Sequence, residues 1–540
     1  MHPPEIDSLL GMGTIGHNHL LGAARKSFGP AGGGGAGAAG AVEAGIRLLC
    51  MAWAEFPLNV PLAAQVESLS RKSSFVSRFL GSRAIRLAGR IARVRQSGGE
   101  AAQRLFDAGR FGELDACFAS LAMREGALAV APQAVMLQSM LSRWEWLEAF
   151  VRGPVARADA DLADALLPDI LLASRRYGEA VSACEKLVSL FGLPVAGLRL
   201  ATARAGAGDI AVAQAVLGRV LADNPAHVTA LLALDGLSFP ARRDVRLPGK
   251  CVVSIYSYNK SGELARTLES VLASDLGPDV GDVRVRVLVN GSEDDSLAVA
   301  ETARGRFAGD MDVVALPVNV GAPAARNWLL DAARREGADW IAYLDDDVLV
   351  PADWLRGLAA GTVDFPDAGV WGCRVADALS PSLTQHADGF LLDRDDAAGQ
   401  GGAVALQEPG VECLIPDFLT CRRLCASVTG CCHLFRVDTL SANNGFDLGF
   451  SPSQFDDLDS DLRLLLGGRP AAYLGDVSVT HLRPANPFMH QSESLRLLGE
   501  NHRALLEARH EGHLDRLLAI QAGIVNADLA ARRARLDVAG

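Results

Sequence analysis

The sequence of 540 residues lacks any uninterrupted apolar run of the roughly 18 residues that a membrane span requires. Its most apolar stretch, residues 41–64, is broken by Glu43, Arg47, Glu55, Pro57 and Pro61. No transmembrane segment is expected. The first residues also lack the basic start and apolar centre of a signal peptide, so the expected location is cytoplasmic. Positive charge is in deficit. Lys and Arg number 52 against 64 Asp and Glu, a formal net charge of -12, which argues against a nucleic-acid partner. The ten cysteines form no paired C-x-x-C array, and in a reducing compartment they are expected as free thiols. What is present, 49% hydrophobic and 21% charged residues, suits a globular chain of two or three domains.

Four regions follow from the patterning. Residues 1–95 are poorly defined. Within them the glycine-rich 31–40 reads as a flexible linker, and the Arg-rich 78–95 as a solvated helix. Residues 96–240 have helical periodicity and four similar local motifs, anchored at Phe111, Trp146, Tyr177 and Ile210 with spacings of 35, 31 and 33. A period near 34, with Pro225 after the last motif, resembles degenerate tetratricopeptide repeats; an ordinary helical bundle is the plainer reading. Residues 250–485 alternate short apolar runs with amphipathic helices, which predicts parallel strands covered by helices. Residues 486–540 read as C-terminal helices.

In such open sheets ligands bind beyond the carboxyl ends of the strands. The polar motifs stand at those ends: Ser257-Tyr258-Asn259, Asn290-Gly291-Ser292 and Asp345-Asp346-Asp347. Three adjacent carboxylates are costly without a compensating cation. Mn²⁺ or Mg²⁺ would compensate them and bridge a diphosphate; a solvated acidic turn is the alternative. On an extended chain Asp345 and Asp347 point one way and Asp346 the other.

The ordered set of motifs from about Cys251 to His481 resembles the family-2 glycosyltransferases of the GT-A fold. It comprises SIYSYNKSGEL (254–264), VLVNGSEDDS (287–296), NVGAPAARN (319–327), LDDDV (344–348) and GFDLGFSPSQFDDLDSDLR (445–463). The resemblance implies an α/β, Rossmann-like, mostly parallel catalytic domain beside an all-α helical-repeat domain. It implies transfer of a sugar, with inversion, from a nucleoside diphosphate sugar donor to a glycan, lipid-linked or protein acceptor. Ser257, Tyr258, Asn259 and Asn290 would line the nucleotide pocket, and Arg326 would lie near the base or diphosphate. Asp345 and Asp346 would contact the donor, Asp345, Asp347 and His481 would hold the metal, and Asp457 would be the general base. Val289 departs from the Asp that the family often places there to read the base.

Other readings stay open at this point. Asp456, Asp459 and Asp461 stand close to Asp457, and His481 also suits a core or capping role. The run Cys413, Cys421, Cys425, Cys431, Cys432 and His433 raises zinc without its usual spacing. Residues 376–419 carry no family motif and read as an acceptor loop or lid. The helical region is expected to recruit an acceptor or a protein partner. A fragment starting near Arg243 would then still bind donor. A rival is a non-catalytic interaction protein in which the transferase fold is a relic.

Overall fold

A computed structural model describes residues 4–28, 36–96, 99–399, 402–483 and 493–537. Every regular element among the described residues before residue 240 is a helix. The expected linker is only partly tested, because residues 29–35 lie outside the described residues. Residues 36–40 already belong to the helix Ala36–Glu55. Their alanines are the strongest helix formers and outweigh the interspersed glycines.

The helical repeat has a sharper signature than its apolar anchors. Gly109, Ser142, Arg175 and Gly208 all have positive φ, at 67°, 51°, 57° and 92°. At each, the N–H bonds the carbonyl three residues back and the next N–H bonds the carbonyl five back, as in Arg175 to Leu172 and Arg176 to Leu171. This left-handed closure ends one helix and starts the next. It recurs every 33 residues, at 109, 142, 175 and 208. New helical turns therefore begin at Phe111, Trp144, Tyr177 and Ile210. Trp144, two residues before the expected anchor Trp146, is the equivalent position.

The second half is built on twelve strands: β1 Lys250–Ser257, β2 Asp282–Asn290, β3 Asp310–Leu316, β4 Trp340–Asp345, β5 Val348–Leu349, β6 Val370–Asp377, β7 Thr384–His386, β8 Phe390–Leu391, β9 Leu406–Gln407, β10 Arg422–Cys425, β11 Cys432–Arg436 and β12 Ala471–His481. Ten of them form one sheet in the order β10-β12-β6-β11-β4-β1-β2-β3, with β5 against β12 and β7 against β6. β4, β1, β2 and β3 run parallel, as do β6 and β12, while β11 is inserted antiparallel between β4 and β6. This is the mixed, mostly parallel sheet of a GT-A fold.

The two halves are not separate bodies joined by a string. One continuous apolar core takes in Leu9, Trp53 and Phe191 from the helices, Ile415 and Phe418 from the middle segment, Tyr343 and Phe435 from the sheet, and Val525 from the last helix. The opposite sheet face has its own core around Val253, Val285, Trp340 and Trp371. Polar contacts reinforce the join. Arg423, fully buried on β10, donates to the carbonyls of Gly11 and Met12 at 2.7 and 2.9 Å, the carboxyl end of the helix Pro4–Met12. A guanidinium there satisfies carbonyls that the helix leaves unpaired. Tyr177 donates to Asp417 at 3.0 Å, and Asp235 pairs with Arg532 and Arg535 of the helix Leu514–Leu536.

The segment 376–419 consequently differs from the expected lid. Lys26 holds Asp393 and Asp396, and Asn18 binds Glu412, so much of the segment is the layer between the helices and the sheet. Among the described residues, no helix is long and apolar enough to cross a membrane.

Candidate active site

The expected site residues stand along one edge of the sheet, because β1, β2 and β4 are parallel and in register. Tyr256 lies opposite Asp345, and Ser257 opposite Val289. Their motifs therefore project from the same end.

The first two motifs act largely on the backbone. Asn259 accepts from the Glu293 N–H at 2.8 Å, and its own N–H donates to Ser292 Oγ at 3.1 Å. Asn290 donates to Asn319 at 2.9 Å and accepts from the Val320 N–H at 3.0 Å. Both side chains thus tie neighbouring loops together. Gly291 has φ 70°, and a Cβ there would lie 2.2 Å from the Val318 carbonyl carbon, so only glycine lets these loops close. Ser257 is fully buried. Tyr258, at 44% exposure, presents its ring to solvent beside them. Val289 is buried in the strand.

The triplet does not behave as an extended chain. β4 ends at Asp345 and the backbone turns through Asp346 and Asp347. Both turn carboxylates consequently reach one cation, Lys260 Nζ, at 3.0 and 2.7 Å. Burial pushes Asp346 up to about 6 against the pull of Lys260. Burial would raise Asp347 as well, but the His481 hydrogen bond and the Lys260 charge hold it well below the usual carboxylate range. Asp347 Oδ1 faces His481 Nε2 at 3.1 Å. Asp345 is engaged elsewhere, accepting from the Tyr256 hydroxyl at 2.8 Å and from Arg326 at 3.3 Å.

Arg326 is a buried strut. Only 4% exposed, it pairs with Asp456 at 2.6 Å and lies over the rings of Tyr256 and Phe446, both 5.2 Å away. It links the strand end at Asp345 to the start of the helix Asp456–Leu466. Asp456 is thereby committed. Burial raises it to about 6, opposed by Arg326. Its neighbour Asp457 is half-buried and accepts from the Gly430 N–H at 2.7 Å and the Leu458 N–H at 2.8 Å. A Cβ on Gly430 would meet Arg326 at 2.7 Å and Asp457 at 3.0 Å, so this glycine lets the strut and the acid approach. Gln454 and Phe455, immediately before the acids, hold φ of 80° and 69°, a left-handed pair that costs non-glycine residues about 1–3 kcal/mol each.

The other acids have structural work. Asp459 binds Arg463, Arg509 and His510, and Asp461 is buried against Ser427 and the Val428 N–H. His433 is buried among Tyr343, Phe435 and Phe446. Among the described residues no group of three or more His, Cys, Asp or Glu side chains is placed to hold a metal ion, in the cysteine run or elsewhere.

The structure thus brings Asp346 and Asp347 together at Lys260, sets His481 against Asp347, and ties Asp345 through Arg326 to Asp456, the neighbour of Asp457. Sequence reasoning missed Lys260, whose signal was a lone cation directly after the Tyr-Asn turn. It also missed Gln385, which accepts from His481 Nδ1 at 2.8 Å. Nothing in the motif-free stretch around Gln385 marks it.

Residues 252–438 match the model of the family described as Glycosyl transferase family 2. The α/β half of the chain thus has a sheet consistent with the GT-A fold, and part of it resembles that family. The matched segment contains the triplet, Lys260 and Arg326 and stops before Asp457 and His481. No curated protein matches the chain. Solved structures similar to it include GalNAc-T7 with UDP, GalNAc and Mn²⁺, at 14% identity over 45% of this chain and 46% of that one, TM-score 0.34. The mannosyltransferase PcManGT from Pyrobaculum calidifontis, in complex with GDP-Man and Mn²⁺, is 17% identical over 61% and 87%, TM-score 0.36. S. aureus TarS 1-349 is 18% identical over 50% and 70%, TM-score 0.33. The chain spans about half the length of the first of these, 46%. Likeness at this level bears on neither donor nor acceptor.

Proposed function

We propose that this chain is a glycosyltransferase that moves a hexose-like sugar, with inversion, from a nucleoside diphosphate donor to an acceptor hydroxyl. The observation that carries the reading is that one strut, Arg326, links the neighbourhoods of two unlike groups. Asp347 and His481 face each other at 3.1 Å just past the strand end at Asp345, which Arg326 ties to Asp456 beside the half-buried Asp457.

Asp347 and His481 fit a divalent cation such as Mn²⁺ or Mg²⁺. They offer one carboxylate oxygen and one imidazole nitrogen 3.1 Å apart, a mixed set that suits a borderline or hard ion. Phosphate oxygens of the donor and water would complete it, since the described protein residues supply no third ligand in place. Such an ion offsets the charge that grows on the leaving diphosphate.

The chain's own residues supply the rest. Tyr258 stacks on the base. The loops tied by Asn259 and Asn290 shape the nucleotide pocket, with Ser257 beneath. Asp345, oriented by Tyr256 and Arg326, meets the ribose or the ion. Asp346 and Lys260 set the charge at the same edge, and Lys260 adds a positive group toward the diphosphate. Asp457 takes the proton from the acceptor hydroxyl as its oxygen attacks the anomeric carbon and the bond from that carbon to the diphosphate oxygen breaks. The acceptor is a glycan, a lipid-linked hydroxyl or a protein, and the helical repeats offer a surface for such an acceptor or a protein partner.

A donor screen tests the reading. Purified full-length protein is incubated with UDP-, GDP-, dTDP- and CMP-sugars in Mn²⁺, and nucleotide release is measured. Release from one nucleoside diphosphate sugar well above the others is expected. Absence of release from all of them, with and without added acceptors, would count against it.

A further inference from the structure

The orientation of His481 is set from behind by Gln385. The amide nitrogen of Gln385 stands 2.8 Å from Asp377 Oδ2 and 2.9 Å from the Arg483 carbonyl oxygen. Both are acceptors, so only the amide N–H₂ can face them. The amide oxygen is thereby turned toward His481 Nδ1, 2.8 Å away. An acceptor at that position requires a proton on Nδ1. The ring is thereby fixed with Nε2 directed at Asp347 Oδ1, 3.1 Å away. Neighbouring ligands of an octahedral Mg²⁺-sized ion with bonds near 2.1 Å lie about 3 Å apart, so the spacing matches two adjacent coordination positions.

The partners of Gln385 are themselves fixed. Asp377 Oδ1 accepts from the N–H groups of Leu379 and Ser380 at 2.7 and 3.3 Å, which leaves Oδ2 aimed at the amide. The loop that follows is gripped by the helical repeats. Ser380 Oγ donates to the Ser139 carbonyl at 3.0 Å and lies 2.7 Å from Ser142 Oγ, and Ser382 donates to the Ala173 carbonyl at 2.8 Å. Ser142 is one of the left-handed repeat turns, and Ala173 lies two residues before the next one. Two successive repeats therefore hold the loop that carries Gln385 on β7.

We propose that Gln385 is a positioning residue that orients the His481 ring so that Nε2 faces a divalent cation shared with Asp347. The proposal rests on the reading of Asp347 and His481 as a metal pair. A bound ion would draw on the ring orientation that Gln385 fixes, and the outer partner of a metal-bound imidazole commonly governs affinity in this way.

The test is a titration of the full-length protein with Mn²⁺ alone, followed by electron paramagnetic resonance, with thermal melting measured on each variant. Gln385→Leu removes the acceptor and is expected to weaken Mn²⁺ binding about 10- to 100-fold while the melting temperature stays near that of the unmodified protein. His481→Ala should weaken binding as well, and adding Gln385→Leu to it should cause no further loss, because Gln385 acts only through the imidazole. Unchanged affinity in Gln385→Leu, or a further loss in the His481→Ala background, would overturn the proposal while leaving the metal pair intact. If the unmodified protein binds no Mn²⁺, the metal reading fails and the proposal falls with it.

Discussion

Replacing Asp457 with asparagine is expected to lower kcat by about 10²-fold or more while donor affinity stays close to that of the unmodified protein. A general base touches only the acceptor's proton, so its loss registers in the chemical step. Asparagine keeps the size of the side chain and can still accept from the Leu458 N–H, but it cannot take a proton. One local cost is foreseeable. The amide must turn its N–H₂ toward one of the two N–H donors now satisfied by the carboxylate, Gly430 or Leu458. Melting curves therefore accompany the kinetics. Asp459→Asn makes a useful contrast. Its carboxylate anchors Arg463, Arg509 and His510, so that variant should lose stability before it loses turnover in the fraction that folds. Near-normal kcat in Asp457→Asn would place the base elsewhere.

A fragment beginning near Arg243 should fail to fold into a soluble protein. The expectation from sequence was the reverse, a self-sufficient catalytic half, because every motif lies downstream of that point. The structure gives the reason for the change. Ile415, Phe418 and Leu419 share one core with the helices and would be left facing water, at about 25 cal/mol for each Å² of apolar surface exposed. Arg423 would lose both carbonyl partners, Gly11 and Met12, with only Asp388 still near at 3.5 Å. Stranding a buried charge in this way costs about 3–5 kcal/mol, a large share of a typical domain's net stability. Asp235, the partner of Arg532 and Arg535, would also be gone. Expression of residues 243–540 with a solubility and melting assay checks this. A soluble, cooperatively melting fragment that binds nucleotide would show that the helical half is dispensable for folding.

What could be read from the sequence was what depends on local pattern. Alternating strand and helix periods located β1 to β4, the polar end of β4 named Asp345 and Asp347, and the family resemblance named Asp457, before any contact was known. Roles that depend on partners were less legible. Asn259 and Asn290 carry family motifs, yet their amides spend their hydrogen bonds on neighbouring loops, a pairing that appears only once the loops are placed. The turn at Asp346–Asp347 was hidden because strand periodicity does not announce where the strand ends. Gln385 was invisible. Its importance comes from β7 pairing with β6, which sets it behind His481 from almost a hundred residues away, and no short-range signal encodes that. In the helical half, large apolar residues gave the approximate period, while the left-handed turns at Gly109, Ser142, Arg175 and Gly208 give the true register. Two of those four positions are not glycine, so composition could not mark them.

The donor is proposed to be held through a divalent cation on Asp347. Nucleotide release by the full-length protein, followed in Mn²⁺ and in EDTA and repeated with Asp347→Ala, tests it most directly. EDTA should abolish release, and Asp347→Ala should bind nucleotide markedly more weakly than the unmodified protein in the same Mn²⁺ concentration. Full activity in EDTA, with Asp347→Ala binding nucleotide as tightly as the unmodified protein, would contradict the account.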